Sequence, residues 1–450
     1  MKRKSVELAE DQPTEQATCS SSSTMDEDKT GGGDGWAALP WVPLLEAFSL
    51  LDRPSYLAHA GLVCRAWHAA ATDNRVWRRL CQRDWRIRRP FGASQANSAE
   101  GVDFKRLYGE MVQEHGEYRA LYAGVSDMWE AYEKWLAAKL PQITLMPAAT
   151  PEAVRQLEEV LGAELPLEMK CSLRIRNGQN LITNLSGLLG GYSFYDHRVE
   201  MQLLGVNDIR LLSDTITRHV QNDPLFPQWL AKACPIARSR FMGKIVFVLL
   251  HDLEGHGSRG NVVACSEDYQ HTFLLARDYT SYLSDHLANL TKGLYKLDEK
   301  CQINLFPQPG ARGVGVATTH GITVETSPLF VPEKSSLRSD PPSYFWAYQI
   351  RMHMPADCSA RSSQLKSRHW VITSADGQVQ EVRGRGVIGL FPVMEPGAYF
   401  EYESCCPQPA PHGTMKGSFT MEYLDSHEEF EVVVPEFEFF LPPGSRPEAS

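Results

Sequence analysis

The chain has 450 residues, 43% hydrophobic and 22% charged, which is typical of a globular protein with about three domains. Its net charge of −10 argues against broad binding to nucleic acids or anionic membranes, because both require a basic surface. The sequence has neither a signal peptide nor an apolar run long enough to cross a bilayer, so we expect a cytoplasmic or nuclear protein without membrane partners.

Cysteine and histidine spacing predicts no metal site and no disulfide framework. The ten cysteines include no C-x-x-C pair, and the fourteen histidines lack the spacing of a ligand set. His251 and His256 lie in a Gly-rich stretch with Asp252 and Glu254, where a solvated loop is favoured over a metal. We therefore expect reduced thiols and no cofactor.

Residues 1–35 are rich in Ser, Gly and acidic residues and are predicted to be a disordered tail. Three short helices are predicted within residues 36–85, and the second of them is predicted to carry Leu57, Leu62, Val63, Cys64 and Trp67. Pro40 suits the first turn of the first helix, and Thr72 or Asp73 is a good N-cap for the third. This segment has more large apolar side chains than so small a core can bury, which indicates that one face binds a partner. A helical subdomain packed on the rest of the chain is the alternative.

Residues 36–85 resemble an F-box, through L-P, then L-L-x-x-F-S-x-L, L-V-C-R-x-W and V-W-R-R-L. The resemblance implies binding to a Skp-type adaptor and, through it, to a cullin and a RING protein. The matching positions, which are the predicted adaptor-binding residues, are Leu39, Pro40, Leu44, Leu45, Phe48, Leu51, Leu62, Val63, Cys64, Trp67 and Trp77. Trp41, Val42 and Pro43 replace the polar and acidic residues that are common after L-P.

The next two segments are predicted to be a helical connector, residues 86–148, and an α+β domain, residues 149–300. In the α+β domain, Thr150 caps a helix that Gly162 ends, a second helix follows from Pro166, and short apolar strands come next. L-E-x-x-L-G-x-x-L-P followed by R-x-x-N-G-Q resembles the SUKH (Smi/Knr-type) family, whose members bind proteins and share no catalytic set.

Residues 301–442 alternate with the period of β-strands, and Asp376-Gly377 is a hairpin signal, so this segment is predicted to be a β-sandwich, with residues 443–450 as a tail. The motifs FWAYQIRM, QLKSRHWVIT, VRGRGVIGLFP and PGAYFEYES, in this order, resemble the ApaG domain. That resemblance implies a fibronectin-type sandwich.

Three glycines within QEVRGRGVIGLFP, namely Gly384, Gly386 and Gly389, have the G-x-G-x-x-G spacing of a phosphate-binding loop. A dinucleotide site requires a helix directly after the glycines, but Pro392 and Pro396-Gly397 prevent one here. A tight turn or bulge between strands is the favoured interpretation. A phosphate loop is the alternative, since the ApaG motif has been suggested to bind pyrophosphate.

The predicted architecture is thus multidomain, with an all-α F-box, a helical connector, an α+β domain and an all-β sandwich. The combined resemblances indicate a non-catalytic substrate-recognition subunit of an SCF-type (Skp, cullin, F-box) ubiquitin ligase, whose protein target the sequence does not name. A nucleotide or pyrophosphate sensor or enzyme built on the ApaG domain, and a scaffold outside any ligase, are the alternatives.

Overall fold

The chain divides into two compact units, Met1–Trp77 and Arg78–Ser450, in the computed structural model. The structure describes residues 40–87, 101–181, 186–241, 243–442 and 444–445. The predicted tail at 1–35 and the predicted adaptor contact Leu39 lie outside the described residues, as do residues 88–100 of the connector. The secondary structure has the predicted class in each region, namely helical, α+β and β-sandwich.

The first unit is built from short helices. They are α1 (Trp41–Ser49), α2 (Pro54–Ala60), α3 (Arg65–Thr72) and the start of α4 (Asn74–Trp85). The rings of Phe48 and Trp67 pack edge to face with centroids 5.3 Å apart, and Trp77 Nε1 donates to Ala71 O at 2.8 Å. Asp73 Oδ1 accepts from Arg75 N at 2.8 Å, which confirms the predicted cap.

The second predicted helix of this unit is wrong in its extent. The helix α2 ends at Ala60, and a separate helix, α3, begins at Arg65. Gly61 directly follows the last residue of α2. A Cβ on Gly61 would lie 3.3 Å from Ala71 Cβ, tighter than most van der Waals contacts, so a residue without a side chain lets α3 fold back against α2. Leu62 and Val63 consequently lie in a turn and not on a helix.

The connector consists of α5 (Phe104–His115), a 3₁₀ turn at Gly116–Tyr118 and α6 (Arg119–Lys139). Side-chain hydrogen bonds tie α6 to the middle domain of the chain. Trp129 Nε1 donates to Ser172 Oγ at 2.9 Å, and Tyr132 Oη donates to Leu283 O at 2.9 Å. The aromatic side chains of Trp129 and Tyr132 therefore face the middle domain and form part of its core.

Over its described residues, the middle domain packs four helices against an eight-stranded sheet. The helices are α7 (Pro151–Leu161), α8 (Leu167–Leu173), α9 (Val206–Asn222) and α10 (Tyr279–Thr291). The strands are β1 (Gly191–Phe194), β2 (His197–Leu203), β3 (Ala233–Ser239), β4 (Ile245–Leu249), β5 (Val262–Cys265), β6 (Thr272–Ala276), β7 (Lys296–Leu297) and β8 (Ile303–Asn304). The sheet order is β6-β5-β4-β3-β2-β1-β8-β7. Thr150 Oγ1 accepts from Ala153 N at 3.1 Å and Gly162 has φ 62°, so both ends of α7 are as predicted.

The C-terminal domain is a sandwich of two antiparallel sheets. Its strands are β9 (Gly315–Thr319), β10 (Ile322–Phe330), β11 (Tyr344–His353), β12 (Ser363–Ser374), β13 (Val379–Arg385), β14 (Val393–Met394), β15 (Tyr399–Gln408), β16 (His412–Tyr423) and β17 (Glu429–Phe440). One sheet has the order β15-β11-β10-β9, and the other has the order β13-β12-β16-β17, with β14 also paired to β12. Aromatic and aliphatic side chains from both sheets, including Trp346, Phe419 and Phe437, fill the space between them.

The middle and C-terminal domains share hydrophobic packing within the second unit. Val331 and Ala347 of the sandwich belong to the core cluster of the middle domain. The rings of Phe194 and Phe345 stack with centroids 5.7 Å apart. The boundary that the sequence places near residue 300 is therefore a change of architecture and not a gap between separate cores.

Candidate partner-binding sites

The described adaptor-binding residues among those predicted fall into three groups by exposure. Leu44, Leu45, Phe48 and Trp77 are buried, whereas Leu51, Cys64 and Trp67 are half-buried. Pro40, Leu62 and Val63 are exposed, with Leu62 84% and Val63 60% accessible. The buried group stabilises the unit by packing, so the exposed and half-buried groups are the ones available to a partner without rearrangement. Direct adaptor contact by any of these residues stays a prediction.

Four further apolar side chains of this unit are exposed and were not predicted as contacts. With Leu62 and Val63 they form a set that we call the exposed apolar set, which comprises Trp41, Val42, Leu50, Tyr56, Leu62 and Val63. The sequence did contain a signal for two of them, since Trp41 and Val42 stand where the F-box family has polar residues. Large apolar side chains that are exposed on a small unit are available for contact with a partner protein.

Two of the three glycines lie in a turn between strands, in agreement with the favoured interpretation. Gly384 lies within β13, whereas Gly386 and Gly389 follow it, and the turn closes through mutual hydrogen bonds between Val387 and Leu390, with N–O distances of 2.9 and 2.7 Å. Gly386 has φ 60° and Gly389 has φ 80°. The next regular element is the short strand β14, and no helix begins after the glycines as a dinucleotide site requires.

Beside this turn lies a cavity of about 380 Å³ lined by Arg368, Arg385 and Gly389. Arg368 Nη1 donates to Gly386 O at 2.8 Å and to Arg385 O at 3.2 Å. One of the two guanidinium groups thus already supports the turn. Phosphate binding by the glycines stays a prediction.

A buried charge cluster joins the middle domain to the sandwich. Glu333, on a 3₁₀ turn after β10, accepts from Tyr192 Oη, contacts His197 Nε2 at 3.1 Å and pairs with Lys244 Nζ at 3.1 Å. Burial alone would raise the pKa of Glu333, but Lys244 and the two hydrogen bonds outweigh it and lower the pKa to about 2. The carboxylate is therefore ionised, and its role is to fasten the two domains together.

Metal sites and membrane spans are both absent from the described part of the chain. Within it, no group of three or more His, Cys, Asp and Glu side chains is arranged to hold a metal ion. None of the described helices is long and apolar enough to span a membrane.

Three family models match the chain in succession. They are described as F-box-like, matching residues 36–83, SMI1 / KNR4 family (SUKH-1), matching residues 148–285, and ApaG domain, matching residues 334–423. These are the three resemblances read from the sequence, in the predicted order, so the predicted recognition is confirmed.

Similar proteins are found both for nearly the whole chain and for its C-terminal domain alone. F-box only protein 3 of Homo sapiens is 29% identical over 415 residues, covering 90% of this chain and 83% of that protein. F-box protein SKIP16 of Arabidopsis thaliana is 28% identical over 426 residues, covering 86% of this chain and 95% of the relative. Protein ApaG of Methylobacterium nodulans is 45% identical over 126 residues, covering 28% of this chain and 92% of that protein.

Proposed function

Because the chain belongs to the ApaG domain family and carries F-box-like and SUKH domains before its ApaG domain, we propose that it is a substrate-recognition subunit of an SCF-type ubiquitin ligase. In this proposal the F-box binds a Skp-type adaptor, which connects it to a cullin and a RING protein. The middle and C-terminal domains hold the target. The subunit makes and breaks no covalent bond, works in the cytoplasm or nucleus, and acts by raising the local concentration of the target near the conjugating enzyme.

The observation that carries the proposal is the exposed apolar set of the first unit. Leaving such side chains in water costs free energy that a partner would recover by covering them, at about 25 cal/mol for each Å² of apolar surface. We propose that Leu62 and Val63 contact the adaptor directly. Leu44, Leu45 and Phe48 support the surface from inside the unit.

The test is to replace Leu62 and Val63 by Asp and to measure co-purification with a Skp-type adaptor. Both side chains are exposed, so the substitutions leave the packing of the unit intact. Because truncating a central apolar contact of an interface costs about 2 kcal/mol or more, we expect retention of the adaptor to fall at least about tenfold. Undiminished adaptor binding by the double variant would rule out this assignment.

Leu225→Asp is the matched control. Leu225 is 86% exposed and lies in the second unit, so it carries the same chemical change at a comparable exposure. The control should bind the adaptor as the parent does. Reconstituted ubiquitin transfer to a captured target then separates a ligase subunit from a scaffold, which would bind the adaptor and support no transfer.

A second candidate function, pyrophosphate or nucleotide sensing, is favoured by the cavity beside the glycine turn, where Arg368 and Arg385 place two positive charges. Its test is titration of the full chain with pyrophosphate while the melting temperature is followed. A bound ligand raises the stability of the folded state in proportion to the logarithm of its concentration. Such a rise, absent from an Arg385→Gln variant, would support the second candidate, and an unchanged melting temperature would eliminate it.

A further inference from the structure

A cavity lies between the middle domain and the sandwich, within the second unit. We call it the interdomain cavity, and its volume is about 590 Å³. The side chains that line it come from both domains, and they include Leu275, Tyr282 and Tyr295 of the middle domain and Phe330, Trp346 and Phe440 of the sandwich. This volume lies within the range of about 300–1,000 Å³ that is typical of small-ligand pockets, and such pockets are common between domains.

One face of α10 forms the wall on the side of the middle domain. Tyr282, Asp285, His286 and Asn289 all line the interdomain cavity, and their spacing of i, i+3, i+4 and i+7 places them along one stripe of the helix. The Nε2 atom of His286 donates to Leu188 O at 3.2 Å and so holds this face against the turn before β1. The wall is therefore a regular element whose position is fixed.

The wall on the sandwich side consists of aromatic rings that packing holds in place. Trp346 has its ring centroid 5.5 Å from that of Phe330 and 5.3 Å from that of Phe439. Phe330 also packs edge to face against Phe273, with centroids 4.7 Å apart. These rings cannot turn inward to fill the space without losing those contacts, so the interdomain cavity is present before any ligand arrives.

The apolar lining leaves surface that a ligand can cover. Leu275, Tyr282, Tyr295, Phe330 and Phe440 are half-buried, although each lines a cavity between two packed domains. Protein interiors have few voids larger than a water molecule, so an unfilled space of this size is unusual. Covering apolar surface stabilises a complex by about 25 cal/mol for each Å² removed from water, so an apolar ligand gains free energy here.

The charges around the interdomain cavity favour an uncharged ligand. Lys244, whose side chain is 11% exposed, lines the cavity, and Glu333 already neutralises it at 3.1 Å. Burial lowers the pKa of His286 to about 4, so this imidazole is neutral near pH 7. The remaining charged residues of the lining are exposed, and they are Asp285, Arg312 and Glu438. An ionised ligand would therefore lose its hydration without gaining a buried counter-charge.

We propose that the interdomain cavity binds an uncharged, ring-containing apolar small molecule. The aromatic walls suit a flat ring system, because aromatic rings pack in offset-stacked and edge-to-face arrangements. The bound molecule contacts both the middle domain and the sandwich, so it also holds the two domains together. This inference goes beyond the proposed function and does not depend on adaptor binding.

The test compares two fluorescent probes that differ by one charged group. N-Phenyl-1-naphthylamine is uncharged, and 8-anilinonaphthalene-1-sulfonate has the same ring system with an added sulfonate. In titrations of the full chain, we expect the uncharged probe to bind one saturable site and to raise the melting temperature. The sulfonate should bind that site at least about tenfold more weakly, because its charge would be buried without a partner. No saturable binding of the uncharged probe overturns the site, and equal binding of both probes overturns its assignment to uncharged ligands.

Two substitutions fill the interdomain cavity from different walls. Ala311→Trp and Leu294→Trp each place a larger side chain at a half-buried lining position, one in the loop before β9 and one after α10. Each variant should bind N-phenyl-1-naphthylamine at least about tenfold more weakly, because the indole clashes with the ligand. Ala375→Trp is the matched control, since Ala375 is exposed in the turn after β12, and it should bind the probe as the parent does. Unchanged affinity in a folded filling variant overturns the proposal.

Photolabelling of the parent locates the site without any substitution. Benzophenone is uncharged and apolar, and on irradiation its carbonyl inserts into a neighbouring C–H bond, so mass spectrometry identifies the labelled peptides. We expect adducts in residues 282–295 and 328–346, which contribute to the lining of the interdomain cavity, and N-phenyl-1-naphthylamine should suppress them. Adducts confined to other segments, such as the exposed apolar set, overturn the proposal.

This inference and the proposed function fail separately. The chain with Leu62 and Val63 replaced by Asp should bind N-phenyl-1-naphthylamine as the parent does, because neither residue lines the interdomain cavity. Loss of adaptor binding with intact probe binding, or the reverse, therefore identifies which proposal is at fault.

Discussion

Gly386 and Gly384 show that residues of one motif can be held by different constraints. Gly386 has φ 60°, and a Cβ there would lie 2.5 Å from the backbone oxygen of Leu390, which cannot move without opening the turn. At Gly384 a Cβ would meet Arg368 Nη1 at 2.9 Å, and that atom is the end of a flexible side chain. The motif is thus explained in part by backbone geometry, without a ligand.

We expect Gly386→Ala to destabilise the folded chain by about 1–3 kcal/mol, because alanine at positive φ is strained and its methyl group meets the backbone. Gly384→Ala is the matched control and should cost less than about 1 kcal/mol, since Arg368 can shift. Chemical denaturation of both variants measures the difference. Equal losses of stability would contradict the strain explanation.

His286 links stability to pH. It is buried beside the ring of Tyr132, its Nε2 donates to Leu188 O at 3.2 Å, and burial lowers its pKa to about 4. The unfolded chain takes up this proton near pH 6.5 and the folded chain does so only near pH 4. Stability from this group is therefore complete above pH 6.5 and falls as the pH drops from 6.5 towards 4.

Between pH 7 and pH 5 we expect His286 to account for about 2 kcal/mol of lost stability, from 1.36 kcal/mol for each pKa unit. His286→Gln, which can still donate to Leu188 O, should lose correspondingly less over the same interval. Denaturation midpoints of the parent and the variant at both pH values measure the effect. Parallel pH profiles would show that His286 does not titrate as the structure implies.

At the scale of elements, the sequence predicts a strand or a helix correctly where the pattern of residues within that one element determines it. The alternation of β11 assigns Tyr344, Trp346 and Tyr348 to the sandwich core, and the structure confirms it. The same alternation places Gln349 and Arg351 on the other face, and both are buried as well. A period of two separates the faces of a strand but does not tell which face another domain covers.

Four members of the exposed apolar set, namely Trp41, Val42, Leu50 and Tyr56, were missed for a similar reason. Helical spacing predicts that Leu44, Leu45 and Phe48 form an apolar stripe. On a short helix such a stripe packs into the core of its own unit, and these three side chains are buried. Leu62 and Val63 are exposed because the helix α2 ends before Gly61, and this helix end depends on the close approach of α2 and α3. Such an approach is a tertiary feature that local spacing does not encode.

The 3₁₀ turn Pro332–Lys334 is the element that fastens the two large domains, through Glu333. We expect Glu333→Ala to cost about 3–5 kcal/mol, because it leaves Lys244 buried without its counter-charge. Glu436→Ala is the matched control, since the Glu436–Lys416 pair, 3.0 Å apart, is exposed and worth less than about 1 kcal/mol. Similar losses in both variants, measured by denaturation, would show that Glu333 does not fasten the domains.

At the scale of the whole molecule, the connector decides which fragments are useful. A fragment that starts at residue 145 loses α6, and with it Trp129 and Tyr132, both buried against the middle domain. Each large aromatic side chain lost from a core costs about 3–5 kcal/mol. We expect the 145–450 fragment to melt far below a 78–450 fragment, which keeps the whole second unit. Equal melting temperatures would contradict the integration of the connector.

The 78–450 fragment also separates recruitment from recognition. It lacks the exposed apolar set, so it should bind the target, support no ubiquitylation and protect the target by competition when overproduced. The half-life of the target after translation is blocked measures this, compared between cells with the fragment and cells with the full chain. If the fragment shortens target life as effectively as the full chain, ligase recruitment does not depend on the first unit.

The shared core of the middle domain and the sandwich has a consequence for synthesis on the ribosome. The last strand of the middle sheet, β8, ends at Asn304, but the core of that domain also requires Val331 and Ala347. Translation must therefore continue for roughly 40 residues past β8, or about 2–8 s at 5–20 residues per second, before the middle domain can close. A premature stop codon just after β8 consequently leaves the middle domain incomplete together with the sandwich.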